Sequence, residues 1–134
     1  MRRFFLILLI AVLIAVVIFY FYSSPAELPP DVKQAYNALP KKLDYNIDVK
    51  PILSDKCFAC HGPDKAKQKA GLRLDIEKSA YADLPEDKGK VAVDPGNLEG
   101  SELFHRILSN DPKYMMPSPE SHHTLTATEK AILI

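Results

Sequence analysis

Cys57 and Cys60 are separated by two residues, and His61 follows the second cysteine directly, in the segment CFACH. This is the C-x-x-C-H arrangement, in which two thiols one turn apart can bond covalently to one edge of a haem while the adjacent imidazole reaches the iron. Three specified residues within five seldom coincide by chance in a chain of 134 residues. A C-x-x-C pair can also close a local disulfide or act as a thioredoxin-like redox pair, and a metal site is a third reading. The redox pair normally sits where a strand enters a helix of a βαβ unit, whereas here the preceding residues read as helix. Covalent haem is the expectation, with Cys57 and Cys60 as anchors and His61 as proximal iron ligand.

The second axial face of the iron decides whether such a domain passes electrons or binds small molecules. Met116, followed by Pro117 in a proline-rich loop, is the expected distal ligand, because a rigid backbone can hold its thioether over the macrocycle. Met115, His122, His123 and His105 are the alternatives, and a methionine can equally be a flexible core filler. His/Met ligation favours a high potential and points to an electron carrier. No catalytic constellation is visible, although a complete protein containing this segment could be an oxidoreductase. Arg73 and Arg106 read either as partners for haem propionates or as solvated surface charges. Lys65, Lys67 and Lys69 could steer an acidic redox partner, or could be ordinary loop charges. Tyr114 and Phe104 could pack on the macrocycle or in the core.

These residues need helices to position them. The folded part is expected to begin near Tyr45, with Asp48 as N-cap of a helix running toward Lys56, Pro51 in its first turn, and Ile52 and Leu53 facing the core. The alternating GLRLD stretch that ends at Asp75 reads as extended, and a short helical segment follows around 76–82. Ser101 is the expected cap of a helix through Leu108, with Leu103, Phe104, Ile107 and Leu108 on one face. Thr126 and Glu129 form a T-x-x-E capping box that opens a last helix. That helix reaches Ile134 after barely two turns, so the sequence reads as truncated.

With 17 basic and 17 acidic residues the chain carries no formal net charge, which offers no field for nucleic acid. Phe4 to Tyr22 is an uncharged run of 19 residues, long enough as a helix to span ~28 Å and so to cross a bilayer. Its aromatic end, without a small-residue cleavage pattern, favours an uncleaved anchor over a removable signal. Arg2 and Arg3 ahead of the run keep the amino end in the cytoplasm by the positive-inside tendency. The expected placement is single-pass in a bacterial inner membrane, with everything after Tyr22 on the periplasmic side. Residues 23–43 contain Pro25, Pro29, Pro30 and Pro40, a composition that reads as a tether and permits at most a short helix from Asp31 to Leu39.

The chain from Tyr45 onward resembles the class I c-type cytochromes, and more closely the planctomycete-type cytochrome c domain. The stretches that carry the resemblance are YNIDVKPILSDKCFACHGPD at 45–64, AGLRLD at 70–75, VDPGNLEGSELFHRI at 93–107 and MMPSPES at 115–121. The resemblance implies a mostly α fold around one covalent haem, with Cys57 and Cys60 as thioether anchors, His61 proximal and Met116 distal. It also implies that such domains often begin larger exported proteins. The combined expectation is a mainly α chain: a transmembrane helix over 1–22, a tether over 23–43, and a small class I cytochrome c-like helical domain over 44–134. That domain would pass single electrons to a redox protein partner or a fused oxidoreductase domain. The competing functions are a haem-based sensor or peroxide- or gas-binding domain with an exchangeable distal ligand, and a haem that staples an envelope binding protein.

Overall fold

The computed structural model describes residues 9–18 and 27–134. Residues 9–18 form helix α1, and every one of its residues is exposed. The rest of the expected membrane-crossing segment, 1–8 and 19–22, lies outside the described residues. No described helix is long and apolar enough to cross a membrane, so the expectation of a single transmembrane helix is corrected. An uncharged run meets the compositional condition for a span, but crossing also needs one continuous apolar helix of about 20 residues.

Helix α2, Pro30–Ala38, starts inside the proline-rich stretch. Pro30 occupies the first helical position, where a missing N–H costs nothing, and Pro40 forces the preceding Leu39 into the extended conformation that stops the helix. The helix packs on α7, Ala127–Leu133, so that Val32 and Ala131 are each only 1% exposed. Thr126 caps α7 through the expected box: its hydroxyl accepts from the Glu129 amide at 3.2 Å, and the Glu129 carboxylate accepts from the Thr126 amide at 2.7 Å.

A π-helical turn, Tyr45–Val49, leads into α3, Lys50–Lys56. The cap lies one turn earlier than the expected Asp48. The Asp44 side chain accepts from the amides of Asn46 and Ile47, and Asp48 accepts in return from the Asp44 amide at 2.7 Å. Ile52 and Leu53 are buried, as their spacing predicts. The single turn α4, Phe58–His61, follows, and α5, Glu77–Ala80, comes after a long loop.

Two short strands, β1 Asp83–Leu84 and β2 Asp87–Val91, pair antiparallel with Asp83 opposite Val91 and Leu84 opposite Asp87. Helix covers about 47% of the described chain, and the small sheet beside it corrects the expectation of a mainly α chain with a small helical domain. The strands gave no sequence signal because nearly all their residues are exposed, which leaves no apolar alternation to read.

Helix α6, Glu102–Leu108, buries Phe104 and Ile107. Ser101 precedes it as expected, yet its hydroxyl makes no cap bond. Instead it accepts from the Asp94 amide at 2.9 Å and donates to the Asn97 carbonyl at 2.9 Å, which ties the 94–101 loop to the start of α6. Leu74, Ala80 and Ala92 form a buried cluster, with Cys57, Phe58, Leu72, Leu84 and Val93 packed against it. The core thus lies directly beneath the cysteine segment.

Candidate functional site

Cys57 ends α3 by donating its amide to the Leu53 carbonyl, and its own carbonyl accepts from the amides of Cys60 and His61 at 3.1 and 2.8 Å. One turn of helix therefore holds all three side chains. The chain then leaves at Gly62, where an added Cβ would lie 2.3 Å from the Phe58 carbonyl oxygen. The loop beyond returns to cover the turn: the Lys69 amide donates to the Cys60 carbonyl at 2.9 Å, and the Leu74 amide to the His61 carbonyl at 2.8 Å. Ala70 and Gly71 make this return with left-handed backbone, φ of 50° and 62°, so GLRLD is a loop that buries Leu74 rather than an extended strand.

Cys57 and Cys60 are half-buried and both thiols are free. Burial against the apolar cluster pushes the Cys57 thiol up to about 11. His61 is also half-buried. Burial pushes its pKa down, the backbone of Lys69 and Leu72 pulls the other way, and the nearby Arg106 charge adds to the depression. The ring is thereby kept neutral, the form in which imidazole binds a metal. Its Nδ1 is buried and meets no hydrogen-bond partner. Among the described residues no group of three or more His, Cys, Asp or Glu is placed to hold a bare metal ion. Two free thiols on one turn, beside a neutral imidazole with an unmet buried nitrogen, fit a macrocycle that brings its own metal.

Met116 is half-buried, and its amide donates to the Arg106 carbonyl at 2.9 Å. Arg106 links the two halves of the candidate site, since its charge acts on His61 and its carbonyl holds the Met116 backbone. Met115 is half-buried as well, with its amide on the Asp111 carbonyl at 2.8 Å. Of the histidine alternatives, His105 places Nε2 2.8 Å from the Glu99 carbonyl, His122 is exposed, and His123 is half-buried. Arg73 forms a two-pronged pair with Asp75, its Nε donating to Oδ1 at 2.7 Å. Lys65, Lys67 and Lys69 are exposed on the return loop. Phe104 is buried, and its ring meets His105 edge-on.

The residue that sequence reasoning passed over is Glu102. It is 7% exposed. One oxygen accepts from the Tyr114 hydroxyl at 2.8 Å and lies 3.3 Å from Arg106 Nε, while the other meets Lys90 Nζ at 3.1 Å. The guanidinium of Arg106 lies 4.4 Å over the Tyr114 ring. An acidic residue in the first turn of a helix normally reads as a solvated complement to the dipole. The only sequence hint of more was the i, i+4 spacing of Glu102 and Arg106.

A turn of helix with two thiols and an imidazole set on a small core has the donor set that a C-x-x-C-H haem attachment requires. Residues 57–120 match the family model of planctomycete cytochrome C. No curated protein and no solved structure matches the chain. The family match supports a cytochrome c domain, with haem c as the implied cofactor and haem-based electron transfer as the general activity.

Proposed function

We propose that this chain is a one-electron carrier whose single haem is anchored by Cys57 and Cys60 and ligated by His61 and Met116. The observation that carries the proposal is the half-buried turn Phe58–His61, with both thiols free and His61 Nδ1 without a protein partner. Covalent haem supplies the one-electron couple. The chain supplies burial and orientation: Leu74 and its cluster wall off the thiol side, and the Lys69 and Leu74 amides hold the turn's carbonyls. Met116 is favoured over the other candidates because its backbone is pinned to α6, whereas His105 already engages the Glu99 carbonyl. The electron partner is proposed to be a redox protein or a fused oxidoreductase domain.

The test is production of the full chain with a c-type maturation system, followed by intact mass and haem staining after denaturing electrophoresis. The expected mass exceeds that of the polypeptide by one haem, and the Cys57→Ser, Cys60→Ser double variant is expected to lose the stain. A mass equal to the bare polypeptide from a competent host would overturn the proposal. Met116→Ala is expected to change the spectra of both oxidation states, and unchanged six-coordinate spectra would remove Met116 from the ligand set.

A further inference from the structure

We propose that Glu102, acting through Tyr114, is a positioning residue that holds the Met116 loop in place for ligation, an inference that rests on Met116 being the distal ligand. The segment from Ser109 to Ser118 is neither helix nor strand and contains Pro112 and Pro117, so few backbone bonds can fix it. Its local bonds close on Asp111, whose carbonyl accepts the amides of Tyr114 and Met115 and whose carboxylate accepts that of Lys113. Those bonds shape the loop but do not place it.

Placement comes from α6. The Arg106 carbonyl accepts the Met116 amide at 2.9 Å, and two residues earlier the Tyr114 hydroxyl donates to Glu102 at 2.8 Å. Glu102 and Arg106 stand one turn apart on the same face of the helix. Arg106 closes the brace from above, with its guanidinium over the Tyr114 ring and one of its amines 3.4 Å from the Tyr114 carbonyl. A buried carboxylate bonded on both oxygens is a rigid fixture, since losing any partner leaves a desolvated charge underpaired. A ligand on a loop held by so few backbone bonds depends for its orientation on the side chains that bond the loop from behind.

The brace can be tested with Tyr114→Phe in the haem-loaded full chain, which keeps the ring under Arg106 and removes only the hydroxyl. Imidazole is the probe, because it must displace the distal ligand to bind ferric iron. Loss of a hydrogen bond to a charged group is expected to make imidazole bind about tenfold more tightly. Val32→Ala, which weakens the fold at the α2–α7 contact, is expected to leave the imidazole affinity unchanged. Equal affinity in Tyr114→Phe and the parent, or the same gain in Val32→Ala, would overturn the brace. If Met116→Ala alters neither spectrum nor imidazole affinity, the ligand assignment itself fails and takes the brace with it. A response to Met116→Ala without one to Tyr114→Phe refutes the brace alone.

Discussion

The amide of Leu74 donates to the carbonyl of His61 at 2.8 Å, so the residue that plugs the small apolar cluster also holds the backbone of the imidazole. Core packing and ligand geometry are coupled at one point. Truncating the side chain, Leu74→Ala, is expected to cost ~2–5 kcal/mol of stability, the range for emptying a buried leucine site. Haem retained per chain should fall with it. Denaturant unfolding of the haem-loaded protein, with the haem-to-protein absorbance ratio, measures both, and a cost below ~1 kcal/mol would separate the core from the site.

Gly62 is required where the chain leaves the turn Phe58–His61. An added Cβ would sit 2.3 Å from the Phe58 carbonyl oxygen and 2.7 Å from Phe58 Cβ. Because the nearest atom is backbone of that same turn, a side-chain rotation cannot relieve the overlap. Gly62→Ala is expected to destabilise by about 1–3 kcal/mol, as overpacking does, and to reduce haem incorporation measured by staining. Wild-type incorporation in the variant would mean that the turn shifts without cost.

Glu102 makes stability depend on pH in one direction. Burial acts to raise its carboxyl, but the Tyr114 hydroxyl together with Lys90 and Arg106 outweighs burial and holds the pKa below the ordinary value. A depressed carboxyl adds stability that is complete above its unfolded pKa and is lost as pH falls through the folded one, here below about pH 4.3. Glu102→Gln should flatten this acid limb. Urea midpoints of parent and variant from neutral to acid pH provide the measurement, and parallel curves would show that Glu102 is not responsible.

Helices α2 and α7 are remote in sequence and meet at their most buried residues, Val32 and Ala131. Removing two methyl groups with Val32→Ala is expected to cost about 2 kcal/mol. Ala131→Leu should cost ~1–3 kcal/mol through overpacking. The exposed neighbour Lys33 provides the contrast: Lys33→Ala should stay within ~0.5 kcal/mol. Thermal unfolding of the three variants separates a packed helix from one that hangs free of the domain, for which all three would behave alike.

The C-x-x-C-H segment was legible in the sequence because it consists of residue identity and close spacing, and both survive any folding. Local signals held where a bond closes within a few residues: the Thr126 and Glu129 box forms as written, and Ile52 and Leu53 are buried. They failed where one pattern admits two backbones. GLRLD alternates apolar and polar residues, yet the left-handed pair Ala70 and Gly71 bends the chain back over the cysteines. The apolar run read as a span has the composition of one, but no described helix has the length.

Two thiols and an imidazole within five residues, and the Thr126 and Glu129 box that starts α7, follow from the sequence alone because residue identity and one-turn hydrogen bonds are local properties. Tertiary structure decided the rest. It paired Arg73 with Asp75, buried Glu102 among Tyr114, Arg106 and Lys90, and set α2 against α7. A charged side chain is solvated or sequestered according to which distant segment covers it, and no spacing within a single helix encodes that neighbour.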